Sequence, residues 1–402
     1  QCTKKYPMLY YYAAYYEEKM GEDEAAKKSL EKAESCAFDY CFPNKLDDIA
    51  VLTFAIENGC KKKAPYYLGN LFYDKLQWKK SVELWEMSEK ADDTFSIVHR
   101  NLALAYYNKM GDSKAAKREL EKAFSLNRKD ARIFLELDQL YKKLGYSFKE
   151  RLAKYDEDPS LAESRDDLYI EYITLMNMCG EYERAYRCIM GRRFHPWEGG
   201  EGKITTQYTI SLLEMAKQCL ASEKYEQAEK LLKKALVYPE NLGEGKLEGT
   251  KDNHLFYHLG LALEAQGKHD EAKTCFETAT IGTDEPAGAM YYNDQPADMI
   301  LYQGLAFEKL GKTREAKSRF YRLIDYGEQH LNDEGKIEYF AVSLPDFLIF
   351  DEDYTKKNRA HCCYLMALGN IGLQNREKAA EFLNEALEIE PSHMMATLYQ
   401  KQ

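Results

Sequence analysis

Apolar and small residues between positions 253 and 280 fall on two helical stripes separated by a glycine. Phe256, Leu259, Gly260 and Leu263 occur at i, i+3, i+4 and i+7, so they share one face of a helix. Gly267 follows the last of them and predicts the end of that helix. The polar positions between the stripes predict an exposed opposite face.

A second stripe begins shortly after this glycine. Ala272, Phe276 and Ala279 share one face of a second helix, and the small Gly260 and Ala272 predict a close approach of the two helix backbones. The spacing resembles the tetratricopeptide repeat (TPR), a helical hairpin of about 34 residues. One hairpin cannot bury its own apolar face, so the pattern predicts stacked neighbours.

The same small-residue position of the first helix recurs along the 402-residue chain. The equivalent residues are Gly69, Ala103, Asp138, Ile173, Ala216, Gly260, Gly304 and Ala367. We therefore predict an all-α, TPR-like superhelix, a single solenoid of about nine units over residues 1–402. Residues 1–190 form the regular N-terminal repeats with an extra helix near 45–58, and residues 191–402 form repeats with long inserted loops.

The spacing of these residues changes along the chain. The steps are 34, 35 and 35 residues at first, and then 43, 44, 44 and 63. Three insertions of similar length, residues 192–208, 238–253 and 282–299, each follow the second helix of a unit. Such insertions map to one edge of a solenoid, often the binding edge. For the longest step we predict a short helix near 334–343 and a packed segment around Pro345.

The inserted loops carry side chains suited to a small polar ligand or a glycan. Aromatic rings offer flat faces to a sugar, charged groups offer donors and acceptors, and glycines let the backbone approach a ligand. The candidate ligand-binding residues are His195, Trp197, Glu198, Glu201, Lys203, Glu244, Lys246, Tyr291, Tyr292, Asn293 and Asp294. The alternative is structural: Trp197 folds under its own loop, and Glu198 or Glu201 pairs with Lys203 or Arg193.

The first helices predict a second surface, because they line the concave side of a solenoid. The chain has 32 tyrosines, and Tyr supplies large contact area at small entropic cost. The candidate protein-binding residues, expected at outward positions, are Tyr66, Asn70, Tyr73, His254, Tyr257, Glu264, His361 and Tyr364. The alternative is that many tyrosines belong to the core with only the hydroxyl in water.

Composition and charge exclude several classes of function. The net charge of −11 disfavours nucleic acid, which requires clustered Lys and Arg. No apolar run approaches the roughly 20 residues of a membrane-spanning helix. The ten cysteines are dispersed, as free thiols are. No HExxH spacing accompanies His195, so we expect no metal site and no cofactor.

Catalysis has only weak support in the sequence. Glu198 and Glu244 could act as acid and base on a glycoside if the fold held them about 5 to 9.5 Å apart. The chain has neither a serine nucleophile elbow nor an evident pairing of Cys with His. We therefore expect a non-catalytic scaffold or recognition module, with a carbohydrate-processing accessory role of Glu198, Glu201 and Glu244 as the alternative.

Four strings resemble the TPR-bearing C-terminal region of large bacterial proteins of unknown function, which carry an N-terminal mutarotase-like β-sandwich domain. The strings are FHPWEGGEGK (194–203), YPENLGEGKL (238–247), YYNDQPADM (291–299) and YFAVSLPDFLIF (339–350). The resemblance implies a bacterial cytoplasmic protein with a link to carbohydrate. Since the chain starts at Gln1, we expect a fragment whose partner is another protein or the N-terminal domain of its own parent.

Overall fold

The structure is a computed structural model that describes residues 6–195, 197, 199–288, 295–335 and 349–401. Within these ranges the regular elements are helical and no strand occurs, which confirms the all-α, TPR-like prediction. The chain divides into two compact units, Gln1–Leu140 and Tyr141–Gln402. Whether residues 1–402 form one continuous solenoid stays a prediction.

The first unit contains seven complete helices and most of an eighth among its described residues. They are α1 (Pro7–Lys19), α2 (Asp23–Ser35), α3 (Leu46–Glu57), α4 (Lys63–Asp74), α5 (Trp78–Ala91), α6 (Ser96–Ala105), α7 (Ser113–Leu126) and α8 (Ala131–Lys143). The extra helix expected near residues 45–58 is α3. A π-helical turn, Tyr106–Met110, extends α6.

The second unit continues the alternation of first and second helices. Its helices are α9 (Phe148–Asp156), α10 (Pro159–Glu163), α11 (Asp166–Met178), α12 (Tyr182–Met190), α13 (Lys203–Ala221), α14 (Tyr225–Ala235), α15 (Asn253–Ala265), α16 (His269–Ala279), α17 (Met299–Lys309), α18 (Thr313–His330), α19 (Tyr354–Gly372), α20 (Arg376–Ile389) and α21 (Met394–Gln400). The helix and packed segment predicted near 334–345 fall largely on residues outside the described ranges.

The turn inside each hairpin requires one residue in the left-handed region. Gly267, between α15 and α16, has a φ of 77° and reaches this region without steric cost, in agreement with the helix end predicted there. Leu76, Glu223 and Gln374 adopt a similar conformation at the corresponding turns, with φ of 58–59°. The stacking geometry therefore imposes the turn even where the residue disfavours it.

The small residue of each first helix makes room for a side chain of the second helix. A Cβ added at Gly260 would lie 2.5 Å from the ring of Phe276, and one at Gly304 would lie 2.2 Å from the ring of Phe320. The expected close approach of backbones at Gly260 and Ala272 is thus better described as a ring seated on a glycine. The partner follows the small residue by 16 positions in each case.

Candidate protein-interaction surfaces

The first two inserted loops contact each other through Asn241. The backbone N–H of Phe194 donates to the carbonyl oxygen of Asn241 at 2.8 Å. The Asn241 side-chain amide donates to the carbonyl oxygens of Ile189 at 2.8 Å and Arg192 at 2.9 Å. Loop 238–253 thereby satisfies carbonyl groups at the end of α12 that the helix itself leaves unpaired.

The charged residues of the second loop also bond within the protein. The carboxylate of Glu244 accepts a hydrogen bond from the Gly202 N–H at 2.8 Å. The Lys246 ammonium donates to the Leu236 carbonyl at 3.0 Å and pairs with Asp252 at 2.5 Å. Glu244 and Lys246 therefore bond to neighbouring loop and helix residues, which favours a structural role for these two side chains.

Trp197 packs within its own loop. A Cβ at Gly200 would lie 2.2 Å from its ring, and the Lys203 ammonium lies 5.7 Å from the ring centroid. The Glu201 carboxylate accepts from the Gly199 N–H at 2.8 Å. Trp197 is half-buried against its own loop, which favours the structural alternative, while Glu201 and Lys203 are exposed.

His195 and the start of the third loop, residues 282–299, also belong to the predicted edge. The side chain of His195 is 78 % exposed, and its Nδ1 lies 3.2 Å from Asp166. Asn253, at the start of α15, donates to the carbonyls of Ala279 at 2.7 Å and Ile281 at 2.9 Å, where the third loop begins. Of the remaining candidates, Glu198 and residues 291–294 lie outside the described residues.

A row of polar side chains crosses three first helices of the first unit. We call it the polar row; it consists of Asn70 on α4, Arg100 and Asn101 on α6, and Glu136 on α8. The amide of Asn101 donates to the Asn70 side-chain oxygen at 3.1 Å. Arg100 donates to both oxygens of Glu136 at 2.6 Å. Trp85 also donates to Asn70, at 3.1 Å, which orients that amide.

The aromatic residues beside the polar row differ in exposure. Tyr73 is half-buried, with its ring 5.3 Å from that of Trp85. Tyr66 is only 7 % exposed, because Phe38 and Phe95 pack against its ring. The outward position expected for Tyr66 is therefore wrong, and this residue belongs to the core.

First helices of the second unit carry histidine and tyrosine instead. Tyr364 is 4 % exposed, so its expected outward position is also wrong; its hydroxyl donates to Asp298 at 3.3 Å. Burial lowers the pKa of His254 to about 3 and that of His361 to about 4, which keeps both imidazoles neutral. Burial raises the pKa of Asp298 to about 6.

Tyr257 and Glu264, also predicted for the protein-binding face, contact residues of neighbouring helices. Tyr257 is half-buried, with its ring 6.1 Å from Phe276 and 6.0 Å from Tyr302. Glu264 pairs with Lys309 at 2.5 Å across α15 and α17. Both side chains thus connect neighbouring hairpins, and Glu264 stays partly open to solvent.

A buried ionic cluster in the first unit was not foreseen. The Nδ1 of His99 lies 2.7 Å from the Glu119 carboxylate, and its Nε2 lies 3.0 Å from the Asp93 carbonyl oxygen. Glu89 and the Asp93 side chain also approach the ring, in a spacing that a metal ion could use. Both ring nitrogens face acceptor oxygens, which favours the protonated imidazolium, and these hydrogen bonds outweigh the effect of burial and raise the pKa of His99.

Sequence reasoning missed Arg100, Asn101 and Glu136. Asn101 and Glu136 precede the small residues Ala103 and Asp138 by two positions each. Aligning the units on that small residue would have shown two polar residues at one repeat position. The hydrogen bond from Asn101 to Asn70 joins different repeat positions, and no spacing rule predicts it.

The family comparison agrees with this geometry. Two family models, both described as tetratricopeptide repeat, match residues 101–130, 254–280 and 360–393 and residues 298–326. The chain contains tetratricopeptide repeats. Each matched segment covers parts of the two helices of one hairpin and ends before the next helix begins. None of the helices in the described ranges has the length and apolarity needed to cross a membrane.

Several solved structures are similar to this chain. A tetratricopeptide repeat protein from Parabacteroides merdae has 14 % identity and a TM-score of 0.32, over 77 % of this chain and 98 % of that one. MamA has 14 % identity and a TM-score of 0.22, over 68 % and 88 %. YrrB, described as a TPR protein with an unusual peptide-binding site, has 18 % identity and a TM-score of 0.22, over 64 % and 100 %.

Proposed function

We propose that this chain is a non-catalytic protein-interaction scaffold and that the polar row of the first unit binds a segment of a partner protein. The tetratricopeptide repeats support a scaffold role. The observation that carries the site is the hydrogen-bonded row from Asn70 to Glu136 across α4, α6 and α8. Its amides and guanidinium are held in fixed positions, so a partner's backbone would meet preorganised donors and acceptors.

The aromatic surroundings support a protein segment as the ligand. Tyr73 lies half-buried on α4, as Asn70 does, and offers a flat apolar face beside its amide. Arg100 is 14 % exposed and Arg132, which also bonds Glu136, is 64 % exposed. Tyr and Arg are the side chains enriched where proteins bind one another.

The experiment begins with the wild-type chain as bait to identify a partner, followed by titration with that purified partner. We expect Asn101→Ala to weaken binding by about fivefold to 150-fold, since leaving a buried hydrogen-bond partner unsatisfied costs about 1–3 kcal/mol. Lys114→Ala, on the exposed side of α7, is the matched control. Equal affinity of wild type and Asn101→Ala, with unchanged circular dichroism, would contradict the proposed site.

The edge formed by loops 192–208 and 238–253 is the second surface that we propose for a protein or domain. Its support is the exposure of His195, Glu201 and Lys203 on a backbone held by Asn241. The same titration with His195→Ala tests it. The alternative ligand is a glycan, which would stack on Trp197. A thermal-shift screen of sugars tests this alternative. If no sugar changes the melting temperature, the glycan hypothesis is wrong.

We also propose that the chain acts as part of a larger bacterial cytoplasmic protein. The support is the resemblance of residues 194–203, 238–247 and 339–350 to repeat regions that follow a mutarotase-like domain. That domain would then be a partner for the loop edge. Binding of the separately purified domain to the wild-type chain, lost in His195→Ala, is the expected result.

A further inference from the structure

The last helix of the second unit is enclosed by other helices. In α21, Ala396, Leu398 and Tyr399 are buried and Gln400 is the one fully exposed residue. A helix of seven residues is too short to be stable alone in water. Its helical form therefore depends on the side chains that surround it.

One side of α21 packs on helices from the beginning of the unit. Leu398 forms a buried cluster with Met178 of α11 and Ile210 of α13, and Phe148 of α9 packs against it. The Gln207 amide of α13 lies 3.7 Å from the sulfur of Met394. Beyond the helix, the Lys401 ammonium donates to the Met178 carbonyl.

The adjacent side of α21 packs on helices near the end of the unit. The Tyr399 hydroxyl donates to the Tyr302 hydroxyl of α17 at 2.6 Å. Its ring lies 6.0 Å from that of Tyr364 on α19. Leu398 and Tyr399 are neighbours in sequence, and side chains of successive helical residues diverge by about 100°. One Leu-Tyr pair therefore contacts four first helices.

We propose that Met178, Ile210, Tyr302 and Tyr364 form a binding site for a short helix bearing a Leu-Tyr pair, and that α21 occupies this site in cis. We call these four residues the α21 site. The inference rests on the proposed scaffold function and adds to it the kind of partner: an amphipathic helix that competes with α21. Helix recognition through regularly spaced apolar anchors is a common mode of protein binding.

Three features support exchange of α21 for another helix. The non-helical residues 390–393 connect α21 to α20, so the covalent connection does not fix the position of α21, although Gln400 also donates to Asn384 of α20 at 2.8 Å. The ring of Phe320, which fills the hairpin of α17 and α18, is seated on Gly304 and Gly372 and needs no residue of α21. The α21 site also combines contacts from helices far apart in sequence, so it does not depend on one hairpin.

The test uses the full chain and a fluorescent peptide of residues 391–402. Leu398→Asp buries a charge against Met178 and Ile210 and should release α21, so this variant is expected to bind the peptide saturably. A tethered occupant acts like a free ligand at roughly millimolar concentration. Wild type and the control Lys378→Ala, at an exposed position of α20, should therefore bind at least about tenfold more weakly. A peptide with Tyr399→Ala should not bind Leu398→Asp.

Two results would overturn the inference: a Leu398→Asp chain of normal helicity that does not bind the peptide, or equal binding by wild type. If Leu398→Asp loses helicity, Tyr399→Phe replaces it, because it removes only the hydrogen bond to Tyr302. Tyr399→Phe should bind the peptide several-fold more tightly than wild type, and unchanged affinity would also overturn the inference. Partner binding that still depends on Asn101 would then leave the scaffold function standing.

Discussion

Two hairpins, one in each unit, fill the same repeat position in chemically opposite ways. In the second unit, the residue 16 positions after Gly304 is Phe320, whose ring is fully buried. In the first unit, the residue 16 positions after Ala103 is Glu119, which is 4 % exposed and bonded to His99. The repeat therefore fixes where a side chain points and leaves open what it is.

This difference has consequences for stability. An apolar side chain at this position contributes through burial and packing, which depend little on pH. A buried Glu119–His99 pair must offset the cost of removing two charges from water. Arg118, which donates to Glu119 at 2.9 Å, and Glu89 and Asp93 near the ring join the same network. The first unit thus carries an ionic element in its interior.

The first helices of the two units differ in the same way, with polar side chains in the first unit and buried tyrosines in the second. In the first unit, Asn70, Asn101 and Arg100 form a polar row that is partly open to solvent. In the second unit, Tyr302 and Tyr364 are buried beneath α21. We infer that the first face remains a polar binding surface, whereas the second is an apolar site with an occupant from its own chain.

Removal of the buried Phe320 ring should have the largest effect on stability. Phe320→Ala leaves a cavity between Gly304 and Gly372, and we expect a loss of about 3–5 kcal/mol in the free energy of unfolding. Urea denaturation followed by circular dichroism measures it. Tyr321→Ala, at a 52 % exposed neighbour, should change stability by about 0.5 kcal/mol or less. Similar losses in both variants would show that Phe320 does not fill the hairpin.

Adding a methyl group to a glycine beneath such a ring should destabilise the chain less. Gly260→Ala places a methyl group 2.5 Å from the buried ring of Phe276. The overlap costs about 1–3 kcal/mol, and the better helix propensity of Ala recovers at most about 1 kcal/mol. We expect a net loss of about 1–2 kcal/mol by urea denaturation. Gly245→Ala meets no atom within 4 Å and should be neutral; a neutral Gly260→Ala would contradict the ring-on-glycine packing.

The smallest expected effect is a pH dependence of stability that arises from the buried Glu119–His99 pair. Burial alone lowers the pKa of His99, but hydrogen bonds to Glu119 and the Asp93 carbonyl outweigh it, so the pKa is raised. His99 therefore stabilises the fold fully below its unfolded pKa of about 6.5, and this contribution is lost as pH rises through the folded pKa. This contribution to the free energy of unfolding is about 1.4 kcal/mol for each pH unit by which the folded pKa exceeds the unfolded pKa.

His99→Gln isolates this contribution. Urea denaturation from pH 5.5 to 9 should show that the stability difference between wild type and His99→Gln shrinks as pH rises. His269→Gln, at an exposed histidine, is the control and should follow the wild type at every pH. A difference that stays constant would mean that His99 is neutral in the folded chain.

Regular spacing in the sequence predicted the hairpins because the contacts inside a hairpin are local. Gly260, Phe276 and Gly267 identify two helices and the turn between them, and the structure places each as expected. The same regularity did not show which residues of a first helix are exposed. Tyr66 is covered by Phe38 and Phe95, and Tyr364 by Tyr399, from segments whose position a helical stripe does not specify.

The sequence by itself determined the repeat, the end of α15 at Gly267 and the positions of the three insertions, because each depends on residues within one unit. Only the tertiary structure decided that Asn241 and Glu244 hold the first two loops together, that Asn101 meets Asn70, and that α21 lies between α11 and α19. Those contacts join segments far apart in the chain, and their partners depend on how the hairpins stack in space.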